Sequence, residues 1–291
     1  MSQLLLVPLL VAVAATASSG VSQRYLRPRV AAWSLVVGST VTALAALSAL
    51  VMVLVEFAHA LAQTQGALAW CLHLEHHGPV PWVEGSVAAA WLAGAAVRVL
   101  RCRARYRGLV PDAGSGGVEI VDDDHPVAFT LPGGQGRTVV SSGMLRALSS
   151  GEQAALFSHE HSHHARRHDR FILAVDLAVA VVPLLGPMRG YVRYATERWA
   201  DEDAARAVGD RRLVARALAR AALVQHAAPQ PGMAMADLGV RTRVDQLLAE
   251  PTRRSVVVLT VAGSAGLTAL AAVSASVQVH HLAMVTAHLC A

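Results

Sequence analysis

The chain contains no lysine and no asparagine, so all 25 residues counted as Lys or Arg are arginine. We read that uniform exclusion as coding bias rather than function. Charged residues are also scarce, at 15 % against 54 % hydrophobic residues. That balance excludes an ordinary soluble domain. Cysteine is nearly absent: Cys71, Cys102 and Cys290 lie far apart with no C-x-x-C pair. This excludes a disulfide framework and a cysteine-ligated zinc site. The formal net charge of +5 comes from arginines next to apolar runs. That is a membrane pattern, and with no nucleic-acid motif and no internal repeat, direct nucleic-acid binding is not expected.

What is present is a set of apolar runs. Leu4 to Ala17 has no basic residue before it, which disfavours a signal peptide and favours a first membrane helix over about 3–19. Val30 to Val55 is a second span, and about 84–100 a third. Ser255 to about Val279 is the last. Arginines fall between the first and second spans and between the third and last; none falls in 57–83 or after residue 254. The charge rule then places both termini outside and the block from about 101 to 254 in the cytoplasm. The domains expected are 1–110 in the membrane, 111–254 as a cytoplasmic unit, and 255–291 as a last span with a short tail.

Within the cytoplasmic unit, 118–121, 127–130 and 138–140 read as short strands around a Pro132-Gly133-Gly134 turn. Ser149-x-x-Glu152 is a capping box opening a helix over about 151–168. That helix carries His159-Glu160-x-x-His163. Two histidines four apart leave one helix face a turn apart, the geometry for two imidazoles on one zinc ion. Glu160 is placed to act as the base toward a water activated by that ion. His161, His164 and His168 read as a solvated face. The histidines at 73–77 read as part of a polar loop with interfacial tryptophans.

A catalytic zinc needs a third protein ligand. Glu197 and Asp201, four apart, offer a ligand and an orienting carboxylate for a ligand imidazole. On spacing alone, an exposed acidic helix that includes Glu202 and Asp203 fits equally well. The apolar run at 171–185 could cross the bilayer or be buried. Crossing would carry Glu197 about 30 Å from the histidines and would put Arg189, Arg193, Arg198, Arg211, Arg212, Arg216 and Arg220 on the wrong side. A buried or re-entrant helix is therefore expected.

The stretch from His159 to Asp201 resembles the membrane zinc endopeptidases typified by the BlaR/MecR beta-lactam sensors. The likeness lies in His-Glu-x-x-His, the basic stretch Arg166-Arg167-His168-Asp169, the apolar run from Phe171 to Pro187, and Glu197-x-x-x-Asp201. The strand pair, the Leu148-Ser149-x-x-Glu152 lead-in and Arg241-x-Arg243-Val244 also resemble that family. The resemblance implies a mainly α, integral membrane protein of about four transmembrane helices. It implies a gluzincin-like zinc peptidase domain with a small β-hairpin or sheet and a re-entrant or buried apolar helix. It implies Zn2+ held by His159, His163 and Glu197, Glu160 as catalytic base, and Asp201 behind the ligands. The implied substrate is a cytoplasmic protein, typically a transcriptional repressor, cut in signal transduction. Because the last expected span ends near residue 279 of 291, a penicillin-binding sensor domain is expected to be absent. The HtpX-type and CAAX-prenyl proteases are similar in their zinc-site helix, so quality-control proteolysis is the alternative. A metal transporter or sensor would need polar residues along the spans, which carry almost none. An inactive scaffold with structural zinc would need a fourth protein ligand. The substrate is expected to lie along an edge strand of the 127–140 hairpin.

Overall fold

A computed structural model describes residues 26–64, 82–110, 117–133, 136–226 and 234–249, with residues 12–14, 16, 266, 269, 273 and 277 besides. Two long helices come first, α1 (Pro28–Thr64) and α2 (Trp82–Leu109). Three strands follow, β1 (Gly117–Val121), β2 (Ala128–Thr130) and β3 (Arg137–Ser141). Six helices complete the described chain: α3 (Ser142–Ala147), α4 (Ser150–Ala165), α5 (His168–Val181), α6 (Met188–Val208), α7 (Arg211–His226) and α8 (Ala234–Leu248).

Among the described residues, two helices rather than four are long and apolar enough to cross a bilayer, over Pro28–Ala58 and Trp82–Leu109. The expected spans at 3–19 and 255–279 lie, apart from scattered residues, outside the described part of the chain, as do the histidines at 73–77. The span expected at 84–100 is longer than foreseen. α2 runs through Arg101, Arg103, Arg105 and Arg107 because arginine is a good helix former and nothing breaks the helix before Pro111. α1 and α2 meet closely where Gly85 faces the Phe57 ring; a Cβ there would lie 2.1 Å from it.

The sheet is mixed, in the order β1-β3-β2. β2 and β3 form an antiparallel pair, with Phe129 opposite Val139, while β1 runs parallel to β3. Of the two strands in the expected 127–140 hairpin, β2 is the one at a sheet edge. β3 is the central strand, with Val140 and Ser141 fully buried, and β2 is an edge strand. A strand apolar at consecutive positions needs cover on both faces and pairing on both sides.

α4 starts at the capping box: the Glu152 carboxylate accepts from the Ser149 backbone N–H at 2.9 Å and its hydroxyl at 2.8 Å. It does not reach His168, as the sequence led us to expect. Arg167 takes a left-handed conformation, φ 54° and ψ 46°, which an α-helix cannot continue through. The chain turns there and α5 begins at His168.

The apolar stretch from 171 is buried within the described fold. Phe171, Val175, Ala178 and Val179 of α5 join Ala31, Ala32 and Leu35 of α1 and Val192, Ala195 and Trp199 of α6 in one core cluster. The Trp33 and Phe171 rings meet edge to face at 4.8 Å. A one-turn 3-10 helix, Pro183–Leu185, followed by Gly186-Pro187, ends the run and sends α6 back toward α4. Small side chains let α6 approach closely: Ala155 of α4 packs with Ala204 and Ala205 of α6, with α7 and α8 closing that second cluster.

Candidate metal centre

α4 and α6 lie side by side and bring one helix face each to a common point. His159 and His163 project from α4, a turn apart, with their Nε2 atoms 3.1 Å from each other. Glu197 projects from α6, its Oε2 3.4 Å from His159 Nε2 and its Oε1 3.5 Å from His163 Nε2. The ligand atoms of these three residues all lie within 4.8 Å of one another. Ligands at about 2.1 Å from a tetrahedral zinc stand about 3.4 Å apart, so the separations are those of three corners of a coordination tetrahedron. Two imidazoles and a carboxylate are also the donor chemistry a divalent metal of this class takes. The triad can therefore hold a divalent metal.

The surroundings fix the ligand imidazoles. His159 Nδ1 lies 3.0 Å from Asp201 Oδ1, so the ring donates there and leaves Nε2 free for a metal. Asp201 is 2 % exposed and is itself held by Arg243 of α8, whose Nε and Nη2 each donate to one carboxylate oxygen at 2.7 Å. Arg243 Nη1 reaches Glu197 Oε2 at 3.0 Å. Burial works against the charges on this cluster, yet the cluster keeps them. Arg243, then the histidines, hold the Glu197 carboxyl well below the usual range, and Arg243 does the same for Asp201. Burial lowers the His159 pKa, but hydrogen bonds to Asp201 and Glu197 outweigh it and push it up to about 10.

His163 has a different neighbour. Its Nδ1 lies 3.1 Å from Nδ1 of His168, which is 2 % exposed. His168 sits against Phe171 and Trp199, at ring separations of 6.2 and 5.1 Å, and burial pushes its pKa down to about 3. The expectation that His168 lies on a solvated face is thus overturned: the break at Arg167 folds it under α4. His161 is exposed, whereas His164 is half-buried over Gly136. Gly136 has φ +58°, and a Cβ there would stand 2.2 Å from the His164 ring. Only glycine tolerates both constraints.

Glu160 is 8 % exposed and accepts a hydrogen bond at 2.8 Å from Thr130 Oγ1 on β2. A cleft of about 1080 Å³ opens over His159, Glu160, His163 and Glu197 and is bordered by Ala128–Gly133. Glu197 faces it with 37 % of its side chain exposed.

Residues 110–203 match the model of peptidase family M48. That stretch, about a third of the chain, is similar to peptidase family M48. It holds the sheet, α4, α5 and most of α6, and with them a His/His/Glu metal-binding triad consistent with an M48 metalloendopeptidase active site. The match is to M48, not specifically to the BlaR/MecR sensors. No curated protein and no solved structure matches the chain. The M48 match ends before α8. Arg243 was therefore visible in sequence only as part of a vague basic pattern, 42 residues from the carboxylate it holds. Thr130 gave no sequence signal of its own, and His168 was read only as part of a solvated face and of the basic stretch 166–169.

Proposed function

We propose that this chain is a membrane-bound, zinc-dependent endopeptidase that cuts a cytoplasmic protein. The observation that carries the reading is the convergence of His159, His163 and Glu197, from two helices, on one point beside Glu160 and an open cleft. Zinc bound by that triad would supply a Lewis acid and bring the pKa of a coordinated water toward about 7.

The chain's own residues supply the rest. His159 would present its Nε2 lone pair to the metal because its Nδ1–H donates to the Asp201 carboxylate. Glu160 stands on the same helix as both imidazoles and opens to the same cleft, so it takes the proton of the attacking water and delivers it to the leaving amine. Thr130 donates to one Glu160 oxygen and steadies the carboxylate for that role. The free edge of β2 borders the cleft, so an extended substrate adds there as a further strand, its backbone paired with residues 128–130. In this reading the strand that receives substrate is β2, the edge strand of the hairpin expected over 127–140.

α1 and α2 anchor the domain to the bilayer, and the arginines of the domain keep it on the cytoplasmic side. A repressor-like regulatory protein is the substrate this reading favours. Quality-control proteolysis at the membrane is the alternative reading of the same site.

The test is Glu160→Gln in the full-length, zinc-loaded protein. We expect unchanged zinc content and loss of cleavage by about 10²-fold or more, judged on a peptide library and on a cellular fragment present only with the wild type. Retained cleavage refutes the assignment of Glu160 as base. Glu197→Ala should lower zinc content; unchanged stoichiometry refutes Glu197 as a ligand.

A further inference from the structure

The cleft extends well past the metal centre, between α2 on one side and α5 and α6 on the other. Its α2 wall is made by Arg98, Arg101 and Arg105, which recur at three and four residues and so share one helix face. Its α6 wall carries Arg189 and Arg193. The carboxylates along this arm already have partners. Asp176 pairs with Arg189 at 2.5 Å, and Asp169 accepts from the Tyr106 hydroxyl at 2.5 Å and lies 3.4 Å from Arg167. Arg98 donates to the Ala180 carbonyl, not to a carboxylate. Arg101, Arg105 and Arg193 have no ion-pair partner among the described residues. Two walls of a concave arm thus face each other with guanidinium charge that the fold does not neutralise, where the field of like charges is focused.

We propose that this arm recognises acidic side chains of the polypeptide substrate. Guanidinium groups take carboxylates in a paired, planar geometry that suits such a segment. Arg193 stands one helical turn, about 6 Å, before Glu197 on the same face. An extended peptide advances about 3.3 Å per residue, so the acidic residues fall within about three positions of the scissile bond. A lipid headgroup seat would account for the α2 arginines alone. It would not account for Arg193 on the opposite wall, nor for the arm's continuity with the metal centre. The inference takes its chemistry from the peptidase reading above and adds the class of substrate.

The full chain carrying Glu160→Gln, loaded with zinc in detergent, is titrated with three fluorescent decapeptides. They differ only in bearing Glu, Gln or Lys at positions flanking a common apolar centre. The Glu peptide should bind about tenfold tighter than the Gln peptide, and the Lys peptide more weakly still, with the spread shrinking as salt rises. Arg101→Glu combined with Arg193→Glu should reverse the order while zinc content stays the same. Equal binding of the three peptides overturns the inference, and so does an order that survives the double substitution. If the peptides bind equally and the same substitutions instead weaken association with phosphatidylglycerol vesicles, the arm is a lipid seat and the inference is again overturned. The wild type, assayed in parallel for cleavage, separates the two claims. Acid-selective binding with no peptide cut refutes the peptidase reading and leaves the recognition arm standing.

Discussion

Replacing Arg243 by Met tests the idea that one guanidinium holds the metal centre together from behind. Arg243 makes two 2.7 Å bonds to Asp201 and one 3.0 Å contact to Glu197, and its side chain is only 11 % exposed. The substitution leaves Asp201, with 3 % of its side chain exposed, paired only with His159 Nδ1, and leaves a second carboxylate nearby without its cation. Removing one partner of a buried pair costs about 3–5 kcal/mol, because the remaining charge keeps its desolvation penalty. For a domain of this size about 1 kcal/mol shifts Tm by about 2–4 °C, so the metal-free variant should melt about 6–20 °C below the metal-free wild type. Zinc returns positive charge beside Glu197, so the deficit should narrow when the metal is bound. Arg243→Lys keeps the charge but loses the planar fork and should fall between the two. The assay is thermal unfolding of detergent-solubilised protein with and without chelator. A metal-free Arg243→Met protein that melts with the wild type would refute the reasoning.

Two further outcomes follow from the same geometry. His168→Leu removes the acceptor that orients His163 and should weaken zinc binding about 10–100-fold in competition with a chromophoric chelator, with His168→Asn retaining part of the affinity; unchanged affinity in the Leu variant would show that His168 only fills space. The Glu152 carboxyl is held below its ordinary pKa, first by the Ser149 N–H, against burial, and then by Arg220 at 2.9 Å. A depressed folded pKa means stability present above the ordinary value of about 4.3 and lost as pH falls through the folded one. Glu152→Gln should therefore lower Tm at pH 7, and its melting curve should converge with that of the wild type as pH is lowered from about 5 toward 3. Parallel curves across that range would count against the assignment.

The parts of the site that were legible in sequence are those whose spacing is set by a single helix. His159 and His163 share a face because they are four apart, and Glu197 and Asp201 do so for the same reason. That the two pairs meet could not be read from either helix. It follows from the Pro183–Pro187 turn that ends α5 and returns α6 to α4. His168 was misread because periodicity was extended across Arg167, where a non-glycine residue takes a left-handed conformation that no local preference announces. The strands at 118–121, 127–130 and 138–140 were legible, but the place of β3 at the centre of the sheet was not. Strand-like runs do not state their neighbours, and the parallel pairing of β1 with β3 depends on a crossover. Arg243 lies far along the chain, so only tertiary packing joins it to Asp201.

α6 serves two partners from opposite sides. Val192, Ala195 and Trp199 pack into the cluster that α1 shares with α5, while Glu197 and Asp201 point to α4. At about 100° per residue the two sets lie about 170° apart around the helix. The ligand carboxylate is thereby fixed by a helix whose other face is seated on an apolar helix long enough to span the bilayer. Interiors this closely packed transmit displacement and do not absorb it. Any shift of α1 against α5 and α6 therefore moves Glu197 relative to two histidines that ride on a different helix. Burial of α5 is what makes that coupling possible. Had the run at 171–185 crossed the membrane, α6 would have had neither α1 beneath it nor α4 above it, and the three ligand atoms could not have met.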